Sequence, residues 1–443
     1  MLKRLDLRGV SGDLRTHLPR PQIAASPTAT VQAVLAAVRA DGDAALRRYT
    51  EQFDGVTLDD LRVSHDELAN ALDSLEPPLR QALEAARDAV DEYHRHERRP
   101  DTRFEAGGMV VESLRRPVDR AGIYVPGGRA GYPSTVIMSV VPAQVAGVGE
   151  VVICVPPASG QNSDRTTLAA AALCGVTEVY RVGGAQAIGA MAYGTESIRS
   201  VDVIVGPGNV YVAVAKREVA AQGVVGVPAA FAGPSEVVVI ADESTPTEWA
   251  AIDVVVQAEH GPDGLAWLVT WSSEVADEVT AAVERVVVAS PRRADLEATL
   301  REGGYAVVVD GPEKAVEVAN GVAPEHLQLM CAEPDRLLPL VRHAGAVFCG
   351  PWSPASIGDY VAGPSHVLPT FGSARFAGGL GTEDFVRTIH AITLDESGFA
   401  SRGSTVRAIA EAEGLPAHGE SIRIRSAKRD AVSPRADAET VPL

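Results

Sequence analysis

Cysteine and aromatic residues are scarce in this chain, and basic residues are outnumbered. The 443 residues include four cysteines, Cys154, Cys174, Cys331 and Cys349, widely spaced and with no CxxC pair. That spacing argues against a disulfide framework and for a reducing compartment. Cys154, in VVICVPP, falls at a strand end where a nucleophile could sit. No histidine or basic residue lies nearby in sequence to lower its pKa, so all four are read as small buried hydrophobes. Aromatics make up 5% of a chain that is 46% hydrophobic, leaving Ala and Val to build the core beside many Gly, a texture suited to helices lying close on sheets. Lys and Arg number 40 against 58 Asp and Glu, a net charge of −18. Such a protein lacks the field that gathers phosphate backbones, so no nucleic-acid partner is expected, whereas a small cationic substrate is favoured. No apolar stretch has the length of a membrane span, and no membrane partner is expected. The first residues, MLKRLDLRGVSGDLRTHLPR, carry charges throughout without an apolar centre, so no signal peptide is read there and a cytoplasmic location is expected.

The length allows two or three domains with sizeable cores. Residues 1–24 read as an arm. A helical pattern covers Thr28 to about Phe53 with a break at Asp41-Gly42. Ser64 and Glu67 form a capping-box pattern, and Pro77-Pro78 opens a long helix reaching Arg98. Beyond this, short β-branched runs alternate with helical stretches. Strands are expected at 150–156, 177–182, 201–205, 236–241, 266–271, 305–309 and 344–349. Helices are expected at 134–147, 165–174, 185–193, 209–221, 246–259, 273–288, 313–319 and 333–342. Continuous apolar strands alternating with helices predict an α/β fold with parallel sheets covered on both faces. Two sheets fit the count, one within about 128–235 and one built mainly from 236–380. After 381 come a short strand, helices at about 403–412 and 417–422, and a polar tail over 426–443 read as disordered.

Polar residues far apart in sequence supply the candidate chemistry. Gln257 and His260 lie three apart on an expected helix, one face, ending at Gly261-Pro262. Asp359 and His366 sit in a Gly-rich segment, SIGDYVAGPSH. Gly233-Pro234-Ser235-Glu236 is a turn delivering a serine and a glutamate just before a strand. Glu325-His326 follows Pro324 and precedes LQLMC; a metal ligand, a general base or a capping pair would each fit it. Glu413 and His418 lie near the chain's end. If Gln257, His260, Asp359 and His418 converge, two imidazoles, a carboxylate and an amide oxygen suit a borderline divalent cation such as zinc. Three Gly-rich turns could meet a dinucleotide: YVPGG at Tyr124, VGGAQ at Gln186 and GPGN at Asn209. None is a full GxGxxG, so as a Rossmann fingerprint they are weak.

These segments together resemble histidinol dehydrogenase. The resemblance is carried by YVPGG (124–128), VGGAQAI (182–188), VGPGNVYV (205–212), AGPSEVVV (232–239), QAEHGPDG (257–264), APEHLQL (323–329), SIGDYVAGPSHVLPT (356–370) and EGLPAHGES (413–421), collinear from about residue 25 to 425. It implies two incomplete Rossmann-like parallel-sheet domains with an N-terminal arm and a helical C-terminal extension. The expected boundaries are 1–24 for the arm, 25–127 with 236–380 for the first domain, 128–235 for the second, and 381–425 for a dimerisation extension. The implied reaction is oxidation of L-histidinol to L-histidine with two NAD⁺ and one water. The implied zinc ligands, one Zn2+ per subunit, are Gln257, His260, Asp359 and His418. Glu325 and His326 are implied as the acid/base pair, Ser235, His366 and Glu413 as substrate residues beside them, and Tyr124, Gln186 and Asn209 as the NAD site. A homodimer is implied in which Glu413 and His418 reach the neighbouring subunit's site. Two other readings of the residues stand beside this one. A zinc hydrolase would turn over without NAD⁺, and a binding protein for imidazoles or amines would show no turnover.

Overall fold

The computed structural model describes residues 1–19, 26–127, 131–157, 165–228, 235–261 and 264–432, with side chains to Lys428. Its strands, in chain order, are Lys3–Asp6 (β1), Thr102–Ala106 (β2), Met109–Pro117 (β3), Arg120–Tyr124 (β4), Glu150–Cys154 (β5), Glu178–Tyr180 (β6) and Val203–Val205 (β7). They continue with Glu236–Ala241 (β8), Leu265–Thr270 (β9), Gly304–Val308 (β10), His326–Met330 (β11), Ala346–Cys349 (β12) and Val386–Leu394 (β13). The chain divides into two compact units. One comprises Met1–Arg98 and Pro117–Phe385; the other comprises Arg99–Arg116 and the chain from Val386 onward.

The first unit holds two parallel sheets, as the alternation of strands and helices predicts. The larger has the order β1-β10-β9-β8-β11-β12. Every residue of β8, EVVVIA, is buried. Val237, Val239 and Ala241 enter one core and Val238 and Ile240 the other, because successive side chains of a strand face opposite ways. The smaller sheet has the order β6-β5-β4-β7. Val31, Val34, Leu35 and Val38 of the helix Thr28–Asp41 share its core with Ile188, Met191 and Val212. A Cβ on Gly189 would stand 3.1 Å from the Leu35 side chain, so the glycine lets the helices meet closely.

The expected domain boundaries shift accordingly. The helices Thr28–Asp41 and Asp43–Asp54 and strand β4 belong with the four-stranded sheet, not with the 236–380 region. Their apolar stripes are buried in that sheet's core. The arm expected over 1–24 contains β1, paired in parallel with β10 from Lys3↔Tyr305 to Asp6↔Val308. Leu2 and Leu7 are buried on either side of its charged residues, the pattern of a short edge strand guarded by lysine. Ser64 accepts from the Glu67 N–H and opens the helix His65–Asp73. The helix expected over 246–259 stops at Val255, and Ala258–His260 forms a 3-10 turn. The helix Arg293–Gly303 was not expected.

The second unit contains a three-stranded sheet of order β13-β3-β2, in which β2 and β3 are antiparallel, and the helices Glu396–Ala412 and Pro416–Val432. Residues 99–116 therefore join the C-terminal region, which the expected 381–425 extension left out. Arg402 ties the two parts by donating to the carbonyls of Gly107 at 2.7 Å and Ala106 at 3.0 Å. The tail read as disordered from 426 is helical to Val432; residues 433–443 lie outside those described. The helix continues because SIRIRSAKRD contains no glycine or proline to stop it. No described helix is long and apolar enough to cross a membrane.

Candidate active site

Adjacent parallel strands β8 and β11 begin side by side, with His326 opposite Val237. At a strand's start the first N–H groups need acceptors from outside the ladder. Here two glutamates supply them reciprocally. The Glu236 N–H donates to Glu325 Oε2 at 2.9 Å, and the Glu325 N–H donates to Glu236 Oε2 at 3.3 Å. The chain reaches this point from the helix Pro312–Val322, which ends at Ala323 with φ 56. That left-handed turn costs about 1 kcal/mol for a residue with a Cβ, and it points Pro324 and Glu325 straight into β11.

His326 is buried at the first position of β11. Its Nδ1–H donates to the Glu236 carbonyl at 3.1 Å, which fixes the ring's orientation. Nε2 then lies 3.4 Å from Asp359 Oδ1, and Nδ1 is 3.5 Å from Glu325 Oε2. Burial disfavours charge on the ring, but the Glu325 and Asp359 carboxylates outweigh it and raise the ring's pKa to about 10. Asp359 sits on the helix Ala355–Tyr360. Burial would raise its carboxyl, yet the His326 hydrogen bond and charge hold it below the usual range. Gly358 makes the approach of this helix feasible, since a Cβ there would meet the Phe348 ring at 2.5 Å. Phe348 in turn stacks on His326 with centroids 6.0 Å apart.

Two further expected residues converge on Asp359. Gln257, buried, donates from Nε2 to Asp359 Oδ2 at 2.9 Å. His366 Nδ1–H donates to the Asp359 carbonyl at 2.9 Å, with Nε2 3.4 Å from Thr135 Oγ1. Burial keeps His366 below the ordinary imidazole range. Ser365 Oγ donates to the Met138 carbonyl at 2.8 Å and so anchors the loop before His366 to the helix Pro133–Ala146.

The other expected ligands are placed differently. His260 is exposed at the end of its 3-10 turn. Ending the α-helix at Val255 breaks the common face that spacing predicted for Gln257 and His260. Ser235 is half-buried directly before β8, its carbonyl accepting from Leu265. Glu413 and His418 are exposed in the second unit, at the end of one helix and the start of the next. Among the described residues no group of three or more His, Cys, Asp or Glu side chains is arranged to hold a metal ion. The site nonetheless suits a cation. The described ion pairs of Glu325 and Asp359 run only to His326, leaving acidic oxygens uncompensated by lysine or arginine. The local sequence gives Phe348, Thr135 and Gly358 no site role and marks Glu236 only as the end of a turn. Only Glu236 left a local signal, as the residue a Gly-Pro-Ser turn delivers to a strand.

The residues expected at NAD lie along the C-terminal edge of the four-stranded sheet. Its order switches direction at β4, with β5 on one side and β7 on the other, and ligands of such sheets bind at that crevice. Tyr124 ends β4, and its hydroxyl accepts from the Gly184 N–H at 3.1 Å. Burial raises its pKa, so the O–H proton remains available to a ligand. Gln186 is buried with Oε1 lacking a partner among the described residues, an acceptor that a bound group could satisfy. Asn209 follows β7 and caps the helix Val210–Ala221, accepting from the Tyr211 and Val212 N–H groups at 3.0 and 3.2 Å. Gly206 takes φ 103, and a Cβ there would fall 2.0 Å from the Tyr124 carbonyl, so the β7 turn reaches β4 only as glycine. The four cysteines are free. Burial pushes the Cys154 thiol up to about 12, which disqualifies it as a nucleophile at neutral pH.

The histidinol dehydrogenase family model matches residues 19–426. A histidinol dehydrogenase of Parasynechococcus marenigrum is 48% identical over 396 residues, covering 89% of this chain and 90% of that protein. One from Dechloromonas aromatica is 45% identical, covering 89% of this chain and 92% of its own length. The crystal structure of histidinol dehydrogenase from Elizabethkingia anophelis superposes with a TM-score of 0.91 at 34% identity, covering 97% of this chain and 99% of that one. The chain is a member of the histidinol dehydrogenase family of oxidoreductases.

Proposed function

We propose that this chain oxidises L-histidinol through L-histidinal to L-histidine, using two NAD⁺, one water and one Zn2+ per subunit, as the last step of histidine biosynthesis in the cytoplasm. The observation that carries the reading is the meeting of Glu325, His326, Asp359, Gln257 and His366 at the starts of β8 and β11 in a chain of this family. Converting an alcohol to an acid removes four electrons, and each NAD⁺ accepts one hydride, so two cycles are needed with an aldehyde between them.

His326 takes the hydroxyl proton as the first hydride leaves. Its burial excludes bulk water, and the Glu236 carbonyl leaves Nε2 as the nitrogen that exchanges protons. Glu325, 7% exposed, activates the water that adds to the aldehyde, and His326 again accepts a proton as the hydrated aldehyde gives up the second hydride. A cysteine-bound intermediate is disfavoured by the raised Cys154 thiol. Gln257 and Asp359, completed by His260 and His418, would hold the zinc, and Ser235, His366 and Glu413 the substrate. When bound, the cation orients the amino alcohol and offsets the carboxylate charge that holds the His326 proton. Tyr124, Gln186 and Asn209 would hold NAD⁺.

We read the enzyme as a homodimer whose Glu413 and His418 complete the neighbouring subunit's site. In support, the second unit leaves Ile389, Ile392, Ile409 and Ile424 each about half exposed or more, more apolar surface than an isolated unit favours. Incubation with histidinol and NAD⁺ should release two NADH per histidine formed. Treatment with a chelator should remove the activity, and added Zn2+ should restore it. Accumulating aldehyde with one NADH, or turnover without NAD⁺, would contradict the scheme. Glu325→Gln should slow oxidation of supplied histidinal about 10²-fold, while the alcohol half changes less than about tenfold. Equal loss in both halves would remove Glu325 from the water-activating role.

A further inference from the structure

We infer that Glu236 is the positioning residue of the acid/base pair, holding Glu325 and His326 in one fixed geometry. The inference rests on the function proposed above for that pair. Glu236 is 2% exposed, and every polar group it carries has a described partner around the pair. Its N–H donates to the Glu325 carboxylate, its Oε2 accepts from the Glu325 N–H, and its carbonyl accepts from His326 Nδ1–H. Glu325 is thus gripped at both its side chain and its backbone, and His326 is fixed by one residue on the neighbouring strand. The remaining oxygen, Oε1, accepts from the Phe371 N–H at 3.0 Å.

Phe371 makes this last contact informative. It has φ 54 and is 52% exposed, so a bulky side chain is held in the left-handed region without burial to stabilise it. Such strain persists only where surroundings enforce it, and the Glu236 hydrogen bond is one such restraint. The loop carrying it follows His366 and Pro369 and closes on the same pair of strand starts. One carboxylate therefore ties β8, β11 and the loop after His366 together. Burial and the Glu325 charge push the Glu236 carboxyl up, while the Phe371 and Glu325 N–H groups it accepts from hold it down.

Glu236→Gln preserves size but replaces one accepting oxygen with an NH2 that cannot accept. It removes one of the two backbone contacts, to Glu325 or to Phe371, and leaves the zinc and substrate residues in place. The expected result is a fall in kcat on the order of 10²-fold, from misplacement rather than lost chemistry, with KM for histidinol within about twofold. Glu236→Gln in a Glu325→Gln background should cost little more, because both changes disable one unit. Hydrogen exchange provides a readout independent of turnover. The variant should exchange faster at the Glu325 or Phe371 amide, while the amides of β9 and β10 stay as protected as in the parent. Unchanged kcat, or a loss that multiplies in full in the double variant, would overturn the inference. So would unchanged exchange at both amides. If the parent does not oxidise histidinol but the local exchange rises as described, the functional proposal fails and the positioning role stands.

Discussion

Replacing His326 with asparagine is expected to lower kcat for histidinol oxidation on the order of 10³-fold, with zinc content unchanged. Asparagine can still donate to the Glu236 carbonyl, as His326 Nδ1 does at 3.1 Å, so the fold around the strand start is retained. What it lacks is a nitrogen that can accept and release a proton beside Asp359. The loss should appear in both halves of the reaction, because the same ring serves each hydride departure. Supplied histidinal should therefore rescue nothing. Metal analysis of the purified variant separates this outcome from a ligand's loss. A variant that lost its zinc together with its activity would make His326 part of the metal site. One that kept kcat within tenfold would leave the proton transfer to another group.

A second large effect concerns Glu413 and His418. A chain truncated before Glu413 is expected to be inactive, as is His418→Ala, which keeps both helices of the second unit. Co-expressing His418→Ala with Gln257→Ala should recover about a quarter of the parent activity, since half of randomly paired dimers are mixed and each carries one intact site. Each variant alone should stay inactive. No recovery in purified mixed dimers would mean that each site is built within one chain. The experiment asks directly whether His418 works in trans, and it gives the same answer whether the partner's contribution is a metal ligand or a substrate contact.

Some of the site could be read locally. Glu325 and His326 are neighbours in sequence, and the Pro324 before them and the apolar run after them already place them at a strand start. Ser235-Glu236 after Gly-Pro carries a similar signal. The contact between Gln257 and Asp359 does not, because 102 residues separate them and the local pattern around each records only its own helix or turn. Spacing even misled at His260. The three-residue interval implied a shared helical face, but the α-helix ends at Val255 and leaves His260 exposed. The edge strand Lys3–Asp6 escaped notice for a different reason. Its charged residues are what an unprotected sheet edge requires, and out of context they resemble an unstructured arm. Gly358 is similar, since nothing around it reveals that Phe348 lies 2.5 Å from where its Cβ would be.

The sequence by itself determined the class of fold, the two parallel sheets, most of their strands and helices, and a set of candidate polar residues. These follow from periodicity, turn chemistry and recurring motifs, all of which act over a few residues. Tertiary structure decided which of those residues meet. The order of strands put β8 beside β11, which turned Glu236 from a turn residue into the partner of Glu325 and His326. A glycine allowed one short helix to descend on Phe348 and set Asp359 against the imidazole. It also decided that the helices over 28–54 cover the smaller sheet, and that residues 99–116 join the C-terminal unit. Such pairings depend on which apolar faces bury each other, and no local pattern contains that information.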